Sequence, residues 1–254
     1  GEHELAVSYG RLADDVGDAF RAAYVTPTGR ITSDTTTAYA MALCRDLMPA
    51  PLRTAAGERL ADLVRGESFR IATGFVGTPL VTDALAATGQ VDTAYRLLLE
   101  QGCPSWLYAV TMGATTVWER WDSMLPDGSI NPGQMTSFNH YALGAVADWL
   151  HRSVAGLAGG APGFRRLVVR PLVTTDLEHV KAALDTPYGR AEVAWTRSGL
   201  DVALQVTVPV GTTAEVWVPG AGTPVEVGHG TWSFEGAVDA LADGPVVTIG
   251  DVVR

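Results

Sequence analysis

The sequence predicts an all-α part over about residues 1–160, followed by an antiparallel β-sandwich over 161–254. Three observations carry this. Apolar residues in the first part recur at steps of three and four, the period of a helix with one buried face. In the second part they alternate, the period of a strand with one buried face. The change falls at Gly159-Gly160-Ala161-Pro162-Gly163, a run that neither element tolerates in its interior.

The helical elements follow in order. Leu5, Tyr9, Leu12, Val16, Phe20 and Ala23 lie on one face of a long helix. Ser33 or Asp34 is placed to cap a second helix running to about Met48, where Pro49 and Pro51 stop it. Leu52, Ala56, Leu60, Leu63 and Val64 mark a third. Thr82–Ala87 and Asp92–Glu100 read as two shorter helices split by Thr88-Gly89. Phe138, Tyr141, Ala142, Ala145, Val146, Trp149, Leu150 and Val154 predict a last helix with Ser137 as its cap. Short Gly/Pro breaks between such segments make neighbouring helices antiparallel hairpins, which close into a bundle or a toroid. Half a toroid leaves an apolar edge uncovered.

In the second part, Leu200, Val202, Leu204, Val206 and Val208 alternate with Asp201, Ala203, Gln205 and Thr207. Val193 with Trp195, and Ala214 with Val216 and Val218, repeat the style. Turns are expected at Thr186–Gly189, Arg197–Gly199, Val210–Thr212 and Pro219–Gly222. Short strands at this spacing suggest a sandwich.

Composition excludes several classes. Hydrophobic residues at 47% and charged residues at 18% give a core, not a disordered chain. Asp and Glu total 28 against 18 Lys and Arg, a net charge of −10, and Lys181 is the single lysine. An acidic chain with no basic cluster is a poor partner for nucleic acid or an anionic membrane surface. No run of about 18 apolar residues is present, so no membrane-spanning helix is expected. Cys44 and Cys103 are too few for a disulfide framework. His3, His151, His179 and His229 are scattered, so no metal site is expected. The start, Gly1–Glu4, is polar and has no leader core; cytoplasmic and secreted locations both stay open.

The densest chemistry is Trp118-Glu119-Arg120-Trp121-Asp122. A sugar-cleaving site needs flat rings to stack on the C–H face of a pyranose and carboxylates to move protons or activate water. The same residues also read as a buried Trp pair with an Arg–Asp surface pair. A Gly/Pro loop from Pro126 to Gly133 follows, long enough to fold over a cleft. After it come Ser137-Phe138-Asn139-His140-Tyr141. In the first turn of the last helix, His140 would meet the positive dipole end and stay neutral, free to bond a hydroxyl; a His satisfied by a backbone carbonyl is the other reading. Thr73-Gly74-Phe75-Val76-Gly77-Thr78-Pro79 is Gly-rich but lacks the lysine of a phosphate loop, and reads as a tight turn that brings Phe75 near a cleft. Asp34 is either a site residue or a helix cap.

Taken together, T-G-F-V-G-T-P at Thr73–Pro79, A-T-T-V-W-E-R-W-D at Ala114–Asp122 and S-F-N-H-Y-A-L-G-A-V at Ser137–Val146 resemble the bacterial α-L-rhamnosidases, inverting glycoside hydrolases of family 78. Gly163–Pro171, Thr186–Arg190 and Thr213–Pro219 resemble that family's C-terminal sandwich. The resemblance implies about half of an (α/α)6 toroid in residues 1–160 and the C-terminal β-sandwich in 161–254. It implies Glu119 as the general base that activates water. It implies sugar contacts from His140, Trp118, Trp121, Phe75 and Asn139, with Arg120 and Asp122 supporting the Glu119 loop. It implies no cofactor. The family's general acid has no counterpart in residues 1–72, so this stretch alone is expected to be inactive. The partners implied are a rhamnose-containing glycoside and the missing N-terminal part of the same polypeptide, with oligomers possible. Two other readings stay open: a non-catalytic carbohydrate-binding or scaffold protein, and an (α/α)6 glycosidase or phosphorylase acting on another sugar.

Overall fold

In a computed structural model of the chain, which describes residues 2–238, the helical period becomes α1 (His3–Tyr24), α2 (Thr36–Cys44), α3 (Arg53–Gly66), α4 (Thr78–Ala87), α5 (Val91–Leu99) and α6 (Trp106–Thr111). Gly1 and residues 239–254 of the expected sandwich lie outside the described residues. The chain divides into two units between Leu143 and Gly144.

In the first unit, α2 packs on α3 and α4, and α4 on α5. The buried seam is Tyr39 and Leu43 of α2, Leu60 and Val64 of α3, Val81 and Leu85 of α4, and Tyr95 and Leu97 of α5. The helices approach closely where Gly57 faces Thr88: a Cβ on Gly57 would sit 2.2 Å from the Thr88 hydroxyl oxygen. The cap of α2 is neither Ser33 nor Asp34. Thr35 holds extended backbone and its hydroxyl accepts the Ala38 N–H at 3.3 Å. Asp34 instead meets the Arg59 guanidinium with both carboxylate oxygens, at 3.0 and 2.5 Å. The helix α6, unmarked by periodicity because it is only six residues long, is started by buried Ser105, which accepts the Tyr108 N–H. The long α1 buries Gly17 alone and leaves Leu5, Tyr9, Leu12 and Val16 exposed.

The last expected helix is shorter than its pattern. Residues 138–141 are irregular, Ala142–Ala145 form a 3-10 turn, and α7 (Val146–Trp149) widens into a π turn over Leu150–Val154. Residues 137–140 cannot join it because two of their backbone groups are already engaged. The Ser137 carbonyl accepts from the Glu119 N–H at 2.9 Å, and the His140 N–H donates to the Val117 carbonyl at 2.8 Å.

The second unit holds the strands. One sheet runs in the order β1 (Leu157–Gly159), β2 (Arg166–Val169), β6 (Thr213–Val216), β7 (Val225–Val227). The other runs β3 (His179–Thr186), β4 (Gly189–Ser198), β5 (Asp201–Val208), β8 (Gly230–Ala237). The period-two residues of β5 are buried as the pattern requires: Val202, Leu204, Val206 and Val208 lie in the core with Val193 and Trp195 of β4 and Leu167, Val169, Ala214 and Val216 of the facing sheet. Pairing is antiparallel except between β2 and β6 among the described strands, because the chain visits the second sheet before returning beside β2. The π turn belongs to this unit: its Val154 carbonyl accepts the buried Trp195 indole N–H at 2.9 Å, and the Ser153 carbonyl accepts the Leu172 N–H. No described helix is long and apolar enough to cross a membrane.

Candidate active site

Segment 116–119 lies beside segment 137–140, and this pairing builds the site. The two backbone bonds between Glu119 and Ser137 and between His140 and Val117 are joined by a bond from the Thr116 hydroxyl to the Phe138 carbonyl. Glu119 as a residue is half-buried, and its Oε2 accepts the Ser137 N–H at 3.1 Å in a bond open to solvent. A carboxylate oriented by a neutral donor keeps its charge available to a ligand or a water. Its neighbour Arg120 turns elsewhere. The guanidinium meets both oxygens of Asp122, at 2.6 and 3.2 Å, and donates to the Gln134 carbonyl. That bond raises the Arg120 pKa further above its ordinary value. Asn131 donates to Asp122 through its side-chain amide and accepts the Gly133 N–H, so the Arg120–Asp122 pair ties down the stretch up to Gln134.

The Gly/Pro loop is a closed hairpin. Met124 and Ile130 form a bridge, the Asp127 carboxylate caps Ser129 through its N–H and hydroxyl, and the Tyr108 hydroxyl anchors the base by donating to the Met124 carbonyl. Cys103 lies close enough to feel the Asp122 charge; burial first, then that charge, pushes its thiol pKa up, which suits a structural thiol.

His140 is not in the first turn of the last helix but two residues before the 3-10 turn that opens at Ala142; 137–140 is irregular and pairs with 116–119. Its ring is placed by aromatic neighbours instead. Phe75 lies parallel to the imidazole at 4.8 Å between centroids and 12°, and Tyr141 at 5.3 Å and 9°. Phe75 comes from the turn that the sequence marked, held by the Thr73–Thr78 hydroxyl bond at 2.8 Å and the Gly74 carbonyl, which accepts from Thr78. The structure therefore brings Glu119, His140 and Phe75 to one locality, with exposed Asn139 on the same segment. Trp118 does not offer a ring face there. It is 4% exposed and meets the Phe138 ring edge-on at 5.2 Å, so it supports the Glu119 segment from beneath. Trp121 is half-buried and packs edge-on against Trp106 at 5.8 Å.

Two contributors escaped the sequence reading. Ser137 was expected as a helix cap, and its N–H instead orients Glu119. Tyr141 was expected on a helix face, and it is 89% exposed beside His140. The Asn-His-Tyr triplet was the available signal for Tyr141; none existed for Ser137, whose contribution is a backbone group. Among the described residues, no group of three or more His, Cys, Asp or Glu side chains is arranged to hold a metal ion.

The family model for the bacterial alpha-L-rhamnosidase 6 hairpin glycosidase domain matches residues 1–154, and that for the bacterial alpha-L-rhamnosidase C-terminal domain matches 156–233. The chain belongs to the bacterial α-L-rhamnosidase family. It is 40% identical over 237 residues to the alpha-L-rhamnosidase of Streptomyces avermitilis, covering 93% of this chain and 23% of that protein. A Formosa agariphila alpha-L-rhamnosidase is 35% identical over 221 residues, covering 86% of this chain and 24% of that one. Among solved structures, the native Aspergillus terreus rhamnosidase superposes with a TM-score of 0.89 at 40% identity over 94% of this chain and 28% of its own. The Streptomyces avermitilis enzyme complexed with L-rhamnose gives 0.85 at 37% identity over 91% of this chain and 24% of its own. The chain thus spans about a quarter of the length of these rhamnosidases. Its helical part is of the six-hairpin kind, followed by the family's C-terminal β domain.

Proposed function

We propose that this chain supplies the general-base side of an inverting hydrolase that releases terminal α-L-rhamnose from glycosides. The observation that carries the reading is the Glu119 carboxylate, oriented by the Ser137 N–H while Arg120 pairs with Asp122 instead. In inversion, one carboxylic acid protonates the leaving oxygen while a carboxylate roughly 6.5–9.5 Å away takes a proton from water on the opposite face of the sugar. Glu119 takes the water's proton. His140 and Asn139 bond the sugar hydroxyls, Trp121 bounds the pocket, Phe75 stacks on the His140 ring, and Trp118 braces the loop. The matched Streptomyces protein is about four times longer than the chain, and on this reading the general acid comes from outside this stretch. Without it, leaving-group protonation, a step worth roughly 10²–10⁴-fold, is lost, so the 254-residue chain alone turns over little or nothing. The L-rhamnose complex of the similar Streptomyces enzyme supports the choice of sugar.

The test is a chimera in which this chain replaces the matching segment of the Streptomyces avermitilis rhamnosidase. The chimera releases rhamnose from an aryl α-L-rhamnoside. Glu119→Gln lowers kcat by on the order of 10³-fold while rhamnose still binds. A Glu119→Gln chimera with an undiminished rate overturns the assignment.

A further inference from the structure

His140 carries two nitrogens, and the structure differentiates them. The Ala142 N–H donates to Nδ1 at 3.3 Å. A neutral imidazole that accepts at one nitrogen carries its proton on the other. Nδ1 is therefore the acceptor, and Nε2–H is the donor left for a ligand oxygen. This arrangement holds only while the ring keeps its plane, and nothing in the irregular backbone at 138–141 enforces that plane. Phe75 does. Its ring lies 4.8 Å from the imidazole and within 12° of parallel. Tyr141 is also parallel, but at 89% exposure it has no packing of its own to hold it still, whereas Phe75 is 38% exposed.

The Phe75 turn is itself rigid. The Thr73 and Thr78 hydroxyls bond each other, and the Gly77 and Thr78 N–H groups both donate to the Gly74 carbonyl. Gly77 fits so closely that a Cβ would lie 2.5 Å from the Thr37 hydroxyl oxygen of α2. The ring is thus carried on a turn clasped to a buried helix.

We propose that Phe75 is a positioning residue: it holds the plane of the His140 imidazole so that Nδ1 takes the Ala142 N–H and Nε2–H faces a ligand oxygen. The sugar hydroxyl as that oxygen rests on the functional reading above; the clamp does not. Phe75 thereby acts through His140, and its ring face is covered by the imidazole instead of by sugar.

The clamp is tested on the full chain, with histidine side-chain nitrogens labelled with ¹⁵N and read by long-range ¹H–¹⁵N correlation in buffer where the imidazole is neutral. His140→Gln identifies the His140 signals among the five histidines. The expected pattern is a single Nε2–H tautomer with ring protons displaced by the Phe75 ring current. Phe75→Leu keeps apolar bulk but no flat face; it abolishes the displacement and averages the two nitrogens. Phe75→Tyr restores both. In the chimera, Phe75→Leu lowers kcat/KM by on the order of 10²-fold and Phe75→Tyr does not. An Nδ1–H pattern in the unaltered chain, or a His140 spectrum indifferent to Phe75→Leu, overturns the proposal. A chimera with no hydrolase activity, in a chain whose His140 signals still respond to Phe75→Leu, overturns the function and leaves the clamp standing.

Discussion

Glu119 and Ser137 are bonded to each other twice: the Glu119 N–H donates to the Ser137 carbonyl at 2.9 Å, and the Ser137 N–H donates to the Glu119 carboxylate at 3.1 Å. The carboxylate is therefore aimed by the backbone of the segment that also carries Asn139 and His140. Catalytic alignment at the proposed base is a property of that pairing, not of the Ser137 hydroxyl, which accepts the Asn139 N–H at 3.2 Å.

This separates two substitutions at one position. Ser137→Ala keeps the N–H and removes the turn bond to Asn139, so the chimera retains most of its kcat and loses about 1 kcal/mol of stability. Ser137→Pro removes the N–H, and kcat falls on the order of 10²-fold. Steady-state kinetics on the pair decide it: equal losses for Ala and Pro contradict the backbone assignment.

The turn at Thr73–Thr78 makes a contrast between two glycines. A Cβ on Gly77 meets Thr37 at 2.5 Å and Thr73 at 2.9 Å, whereas one on Gly74 meets nothing within 4 Å. Gly77→Ala destabilises the chain by about 1–3 kcal/mol, while Gly74→Ala is near neutral. Denaturant midpoints for the two variants measure the difference, and an unperturbed Gly77→Ala midpoint shows the clasp to be looser than described.

The two free thiols are expected to differ in reactivity. Burial, helped by the Asp83 charge, pushes the Cys44 thiol up to about 12, and its Sγ faces the Leu80 carbonyl at 3.5 Å. The thiolate is the nucleophile, so at neutral pH Cys44 stays inert in the folded chain. Burial also raises the Cys103 thiol. A chromogenic disulfide reagent labels Cys103 slowly and Cys44 only after denaturant is added. Rapid labelling of Cys44 in the native chain contradicts its burial.

Asp34 gives a pH-dependent contribution. Its bond to the Arg59 guanidinium holds the Asp34 carboxyl below its ordinary value of 3.8. A carboxyl depressed in the folded state stabilises above its unfolded pKa, and that gain is lost as pH falls through the folded value. Both partners are partly exposed, so the contribution is no more than about 1 kcal/mol. Asp34→Asn lowers the melting temperature at neutral pH, and the gap to the parent closes as the pH falls below the ordinary carboxyl value of 3.8. A gap that widens in acid reverses the assigned sign.

Residue order alone marks the change from helix to strand, the long faces of α1 and α3, the alternating core of β5, and the motifs around Glu119, His140 and Phe75. These are local: a period of three and four or of two, or a run of residue types, needs no knowledge of what lies opposite. What lies opposite settled that residues 137–141 stay out of the last helix, because Glu119 bonds the backbone of Ser137 from 18 residues away and Val117 that of His140 from 23. It decided that Trp118 is a buried brace, that β2 lies parallel to β6, and that Asp34 reaches Arg59 instead of capping α2. Each turns on a partner remote in the chain, and a hydrogen bond or a ring contact across such a distance leaves no period in the sequence.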